Sequence, residues 1–196
     1  MSDGPVSITF GLAFSNLPIV NIRQEFEQYV ALLADPDFCA GLRIVRQPVE
    51  LPTLTWRGLS HNVLTYMVQR AILGLEASVV AAVDYEMHAR QMMNPDIERW
   101  LADPNKAPGE RGMAQAFYNN LPALIDPAYR LSKASPALWE RVKKFYNEVR
   151  NPLFHGYQLS RPTPEAVRPL MGLVAEVYCW IDSWWRAFQP TRDDVP

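Results

Sequence analysis

The stretch LSHNVLTYMVQRAILGLEASVVAAVDYEMHARQMM, residues 59–93, decides the fold. Within it Leu64, Met67, Val68, Ala71, Ile72, Leu75, Val79, Ala82 and Val83 recur at steps of three and four, the spacing that lays an apolar stripe along one helix face. No proline occurs between Thr53 and Asn94, although the chain carries 17 in 196 residues, well above the usual share of about 5%. Because proline breaks helix interiors, the other proline-free windows, 19–35, 137–151 and 170–189, are further places for helices. Val167, Leu170, Met171, Val174, Val177, Tyr178, Ile181, Trp185 and Phe188 form a second stripe, and Leu138, Val142, Phe145, Tyr146 and Val149 a third. Ser135-Pro136 reads as an N-cap followed by a proline at the first helical position. The spacing predicts long helices near 59–93, 136–150 and 164–188, a shorter one near 21–34, and a mainly all-α antiparallel bundle.

The N-terminus follows a different period. Val6, Ile8, Phe10, Leu12 and Phe14 alternate with small or polar residues, as in a half-buried strand. Such a strand needs a partner, for which 42–46 and 54–56 are candidates, as is pairing across a dimer. Segments 103–109 and 121–127 read as loops. At this length, 48% hydrophobic and 20% charged, the chain reads as one globular domain spanning 1–196. Cys39 and Cys179 are isolated, which argues against a disulfide framework and a structural zinc site and predicts two buried thiols in a reducing cytoplasm. The opening Met-Ser-Asp-Gly-Pro has no signal-peptide pattern, and no run of 18 residues lacks a charge or turn-former, so no membrane span is expected.

Chemistry concentrates in Arg150-Asn151-Pro152-Leu153-Phe154-His155-Gly156-Tyr157. Asn-Pro is expected to interrupt the helix before it, with Asn151 capping a new short turn. On an unbroken helix, five residues turn the direction by about 140°, whereas a break lets Arg150 and His155 converge. A guanidinium offers a fork of donors to phosphate oxygens and an imidazole moves protons near neutral pH. The pair therefore suits attack of a ribose 2′-hydroxyl on phosphorus. The alternative is structural: Arg150 on helix-end carbonyls, with His155 and Gly156 as a C-terminal cap.

Arg-Asn, three residues, then His-Gly-Tyr at a helix end resembles the signature of the HEPN superfamily, in which Arg is followed after four to six residues by His. Tyr157 also matches the Arg-x4-His-x-Tyr form of HEPN toxins paired with nucleotidyltransferase-type antitoxins. The resemblance implies an all-α bundle, a homodimer joining two Arg/His motifs in one cleft, and a metal-independent endoribonuclease, a toxin or defence effector, that leaves a cyclic phosphate. It assigns catalysis to Arg150 and His155, support to Asn151, and RNA contact or regulatory nucleotidylation to Tyr157. Partners would be RNA, a second copy and an antitoxin or nucleotidyltransferase. A second hypothesis keeps the fold without the chemistry, as a dimeric scaffold binding a protein or nucleotide.

Charge gives modest support. From Arg130 to Arg168 there are eight basic and three acidic residues, net +5, which leaves −7 for the remainder. Asp84 and His88 read as a surface pair, Asp182 and Arg186 as a helix ion pair, and Trp180, Trp184 and Trp185 as core or dimer packing. With no Gly-rich phosphate loop, G-x-S-x-G elbow or H-E-x-x-H, neither cofactor nor metal is expected.

Overall fold

The computed structural model describes residues 19–44, 50–51, 54–55, 59–155, 159 and 162–185. The fold is mainly all-α. Helix α1 (Ile19–Ala34) leads through Asp35, whose carboxylate accepts the Asp37 N–H at 2.8 Å, into α2 (Pro36–Ile44). Strands β1 (Glu50–Leu51) and β2 (Leu54–Thr55) pair antiparallel, Glu50 opposite Thr55 and Leu51 opposite Leu54. Of the proposed strands, 6–14 lies outside the described residues, and Leu42, Arg43 and Ile44 belong to α2 instead.

The deciding stretch forms α3 (Leu59–Ala89), 31 residues long, and every one of its nine stripe residues is buried. It ends where Gln91 takes a positive φ of 56°. Asn94 then caps α4 (Pro95–Ala102), its Oδ1 accepting the Asp96 and Ile97 N–H groups. Several further helices were not legible as such, among them α2, α4 and two pieces of a run that crosses the expected 121–127 loop. That run is α5 (Met113–Gln115), a π-helical turn over Ala116–Asn120 and α6 (Pro122–Ile125). Helix α7 (Leu131–Ala134) precedes α8 (Pro136–Phe145), a second π-helical turn over Tyr146–Arg150 and α9 (Asn151–Phe154). The final helix, α10 (Pro164–Trp184), starts at Thr163, whose hydroxyl accepts the Ala166 N–H, and contains Pro169.

Helix α3 packs against α1, α10 and α6, and α10 also meets α8 and α1, so α3 is wrapped by the rest of the bundle. Among the described residues it is the one helix long and apolar enough to cross a membrane, over Val63–Ala89, yet most of that span is buried within the protein. Trp180, Trp184 and Trp185 are core residues of the chain itself, Trp180 meeting Trp184 edge-on and Tyr129 stacking on Trp184. Several local expectations are corrected. Ser135 and Pro136 do take the N-cap and first helical positions of α8, but the Ser135 side chain makes no capping hydrogen bond. Cys39 is buried but Cys179 is exposed. Asp182 pairs with Arg23 of α1, tying the first helix to the last, while Arg186 lies outside the described residues. His88 and Asp84 do pair on the surface, but at 3.6 Å, longer than a good hydrogen bond.

The loop before α5 is fixed by one close approach. Gly109 has a φ of 137°, and a Cβ there would stand 2.3 Å from Asn120 Oδ1. Asn120 cannot simply move away, because its Nδ2 donates to the Glu110 carbonyl at 2.8 Å. Gly109→Ala is therefore expected to lower unfolding free energy by about 2 kcal/mol, measured by urea denaturation. An unchanged midpoint would contradict this packing.

Candidate functional site

The Asn151-Pro152 step does not interrupt the helix. Asn151 has φ −62° and ψ −47° and is helical, so it is not an N-cap. The reason lies one turn earlier. A proline in a regular helix loses its hydrogen bond to the residue four back and crowds that carbonyl. Here the preceding turn widens, and the Asn151 N–H bonds the Tyr146 carbonyl, five residues back. The same solution occurs at Pro122, where the Leu121 N–H bonds Ala116 O at 3.0 Å. Both prolines thus follow the residue that closes a π turn.

Each widened turn directs a tyrosine into the core. Tyr118 and Tyr146 are fully enclosed, their hydroxyls 2.8 Å apart and their rings edge to face. The Tyr146 hydroxyl donates to Glu76 Oε1 at 2.7 Å, so its single proton is committed and Tyr118 is the donor in the pair. Burial, reinforced by the nearby Glu76 charge, pushes both phenols well above their ordinary value. They act as neutral hydrogen-bonding groups.

Glu76 is where Arg150 ends. Arg150 Nε donates to Oε1 at 3.0 Å and Nη2 to Oε2 at 3.3 Å, with the two side chains 12% and 8% exposed. The guanidinium also lies near the Tyr146 ring at 5.7 Å and over the Phe154 ring at 4.5 Å, four residues before and after it on the helix. Burial disfavours the arginine's charge, but its bonds to Glu76 outweigh that and raise its pKa. Nη1 makes no hydrogen bond to any described residue, leaving one edge of the fork unused.

His155 occupies a different setting. It closes α9, its N–H donating to Asn151 O at 3.0 Å and Pro152 O at 3.2 Å, and its side chain is exposed. Arg150 therefore faces inward toward α3 while His155 stands at the open end of the same helix, and no hydrogen bond joins them. The backbone role suggested for His155 as a cap is realised; Arg150 binds a carboxylate rather than helix-end carbonyls. Tyr157 and Gly156 lie outside the described residues.

Two residues of this network escaped the sequence reading, and both left a trace. Glu76 stands four after Ile72 and three before Val79, a charge at a position of the buried stripe. Tyr118 belongs to Phe117-Tyr118-Asn119, a tripeptide repeated as Phe145-Tyr146-Asn147, with a proline three residues beyond the first copy and five beyond the second.

Removing one partner of a buried ion pair strands the other. Arg150→Ala is expected to cost about 3 kcal/mol of stability and Tyr146→Phe about 1–2 kcal/mol, through the unpaired Tyr118 hydroxyl. His155→Ala should leave the urea midpoint unchanged. A fully stable Arg150→Ala variant would mean that Glu76 does not hold the guanidinium.

Comparison with protein-family models, with curated proteins and with solved structures returned no match, so the residues and their geometry carry the functional reading.

Proposed function

We propose that this protein is a metal-independent endoribonuclease of HEPN type, acting as a toxin or defence effector. The observation that carries the reading is the Arg150-x4-His155 motif on the segment ending in α9, with an exposed imidazole at its open end and a guanidinium clamped one turn back. A held arginine suits transition-state binding, because its orientation is fixed before substrate arrives. Glu76 grips one edge of Arg150, and the Nη1 edge is left for a phosphate oxygen.

In this reaction His155 accepts the proton of a ribose 2′-hydroxyl as its oxygen attacks phosphorus. The O2′–P bond forms and the P–O5′ bond breaks, giving a 2′,3′-cyclic phosphate and a free 5′-hydroxyl. The leaving oxygen takes a proton from a second imidazole, supplied by His155 of the other copy in a homodimer. Two motifs at a two-fold axis would also set two guanidiniums on the charge that develops at phosphorus. Asn151 supports the helix turn between the two groups, and Tyr157 contacts RNA or accepts a nucleotide from a nucleotidyltransferase partner. The three tryptophans lie in the core of the chain, so the dimer rests on the motif resemblance alone.

The second reading is a catalytically silent scaffold for a protein or nucleotide. One observation favours it: Glu76 neutralises Arg150 inside the bundle, which accounts for the arginine without any substrate.

His155→Ala separates the two, since the side chain is exposed and its loss leaves the core intact. Cleavage of single-stranded RNA, followed on denaturing gels, is expected to fall about a hundred- to ten-thousandfold, to persist in EDTA and to be absent on DNA, which lacks the 2′-hydroxyl. Wild-type protein that cuts no RNA, or a His155→Ala variant that cuts as well, supports the scaffold.

A further inference from the structure

A cavity of about 320 Å³ lies between the motif segment and the start of α10. Glu148, Val149, Pro152 and Leu153 form one side, and Leu159 and Leu170 contribute to the other. The volume is at the small end of ligand sites, about 300–1,000 Å³, and suits a planar heterocycle. Its walls are two proline rings, one alanine and branched aliphatic side chains, surfaces on which a nucleobase face can lie. Glu148 is the ionisable residue in the lining; its side chain is exposed and makes no hydrogen bond to any described residue.

We propose that this cavity is a nucleobase subsite for guanine, read by the Glu148 carboxylate. An ionised carboxylate offers acceptors only. Guanine alone among the four bases presents two adjacent donors, N1–H and N2–H, on its Watson–Crick edge, which match the two carboxylate oxygens. Adenine and cytosine each set an acceptor nitrogen beside their amino group, and uracil flanks its single N–H with two carbonyls, so each meets the carboxylate with at least one repulsive contact. The same charge keeps the phosphate out of the cavity and leaves it to the groups outside.

Placement ties the subsite to the motif. Pro152 in the wall is three residues before His155, and its carbonyl accepts the His155 N–H. His155 therefore stands one turn along the helix from a residue of the cavity wall. The inference rests on the ribonuclease reading for its role, specificity for cleavage next to guanine, but not for its ligand.

Binding of GMP, AMP, CMP and UMP to the full chain, measured by calorimetry, tests it. GMP is expected to bind about tenfold or more tightly than the others, the size of effect lost with a hydrogen bond to a charged group. Glu148→Gln, a surface change, should remove that preference, and Leu170→Trp should abolish GMP binding by filling the cavity. Equal affinities for the four nucleotides, or a preference that survives Glu148→Gln, overturns the subsite. Sequencing the ends of cut RNA separates this outcome from the wider one. Cleavage without guanine bias overturns the subsite and leaves the nuclease standing, whereas Glu148-dependent GMP binding by a protein that cuts nothing supports the subsite and removes the nuclease.

Discussion

A carboxylate in the core of a helical bundle must be neutralised, and Glu76 is neutralised by a residue 74 positions away. That requirement organises the half of the molecule that bears the motif. Glu76 sits mid-way along α3, on the face buried by the rest of the bundle, and takes two hydrogen bonds from Arg150 and one from Tyr146, which in turn takes one from Tyr118. Together these bonds offset the desolvation cost of several kcal/mol that burying one ion carries. The chain also links three elements, α3 and the two segments that carry the π turns, by directional bonds. Apolar packing alone would allow those segments to slide. The network fixes where the motif helix can lie.

The two π turns make this possible. A regular helix entering Asn151-Pro152 or Leu121-Pro122 would have to break or kink, and a break would release Arg150 from the core. Widening the preceding turn keeps the helix running, accommodates the ring, and points a tyrosine at the same buried carboxylate region from each side. Such turns are frequent at functional sites. Here one of them contains Arg150 itself and leads within five residues to the exposed His155.

The long helices were legible in the sequence because burial writes a period, and α1, α3, α8 and α10 lie where the stripes and the proline-free windows put them. The shorter helices α2, α4, α5, α6 and α7 were not, because each begins beside or soon after a proline or polar cluster that also reads as a loop. The expected break at Asn151 failed for a related reason: the residue before the proline stays helical, because the widened turn ahead of it accommodates the ring and its missing N–H. Of the site, Arg150 and His155 could be named from their spacing, and their opposite surroundings could not. Whether a guanidinium meets a carboxylate across the bundle is a long-range fact, signalled only by one glutamate out of place in an apolar stripe.

Coupling between Glu76 and Arg150 is the most direct test, measured as a thermodynamic double-mutant cycle with Glu76→Gln, Arg150→Met and the double variant in urea. A direct, partly buried pair predicts an interaction energy of about 2 kcal/mol or more, with the double variant more stable than the sum of the singles implies. Additive effects, within about 0.5 kcal/mol, would contradict the account and leave Arg150 free to act elsewhere.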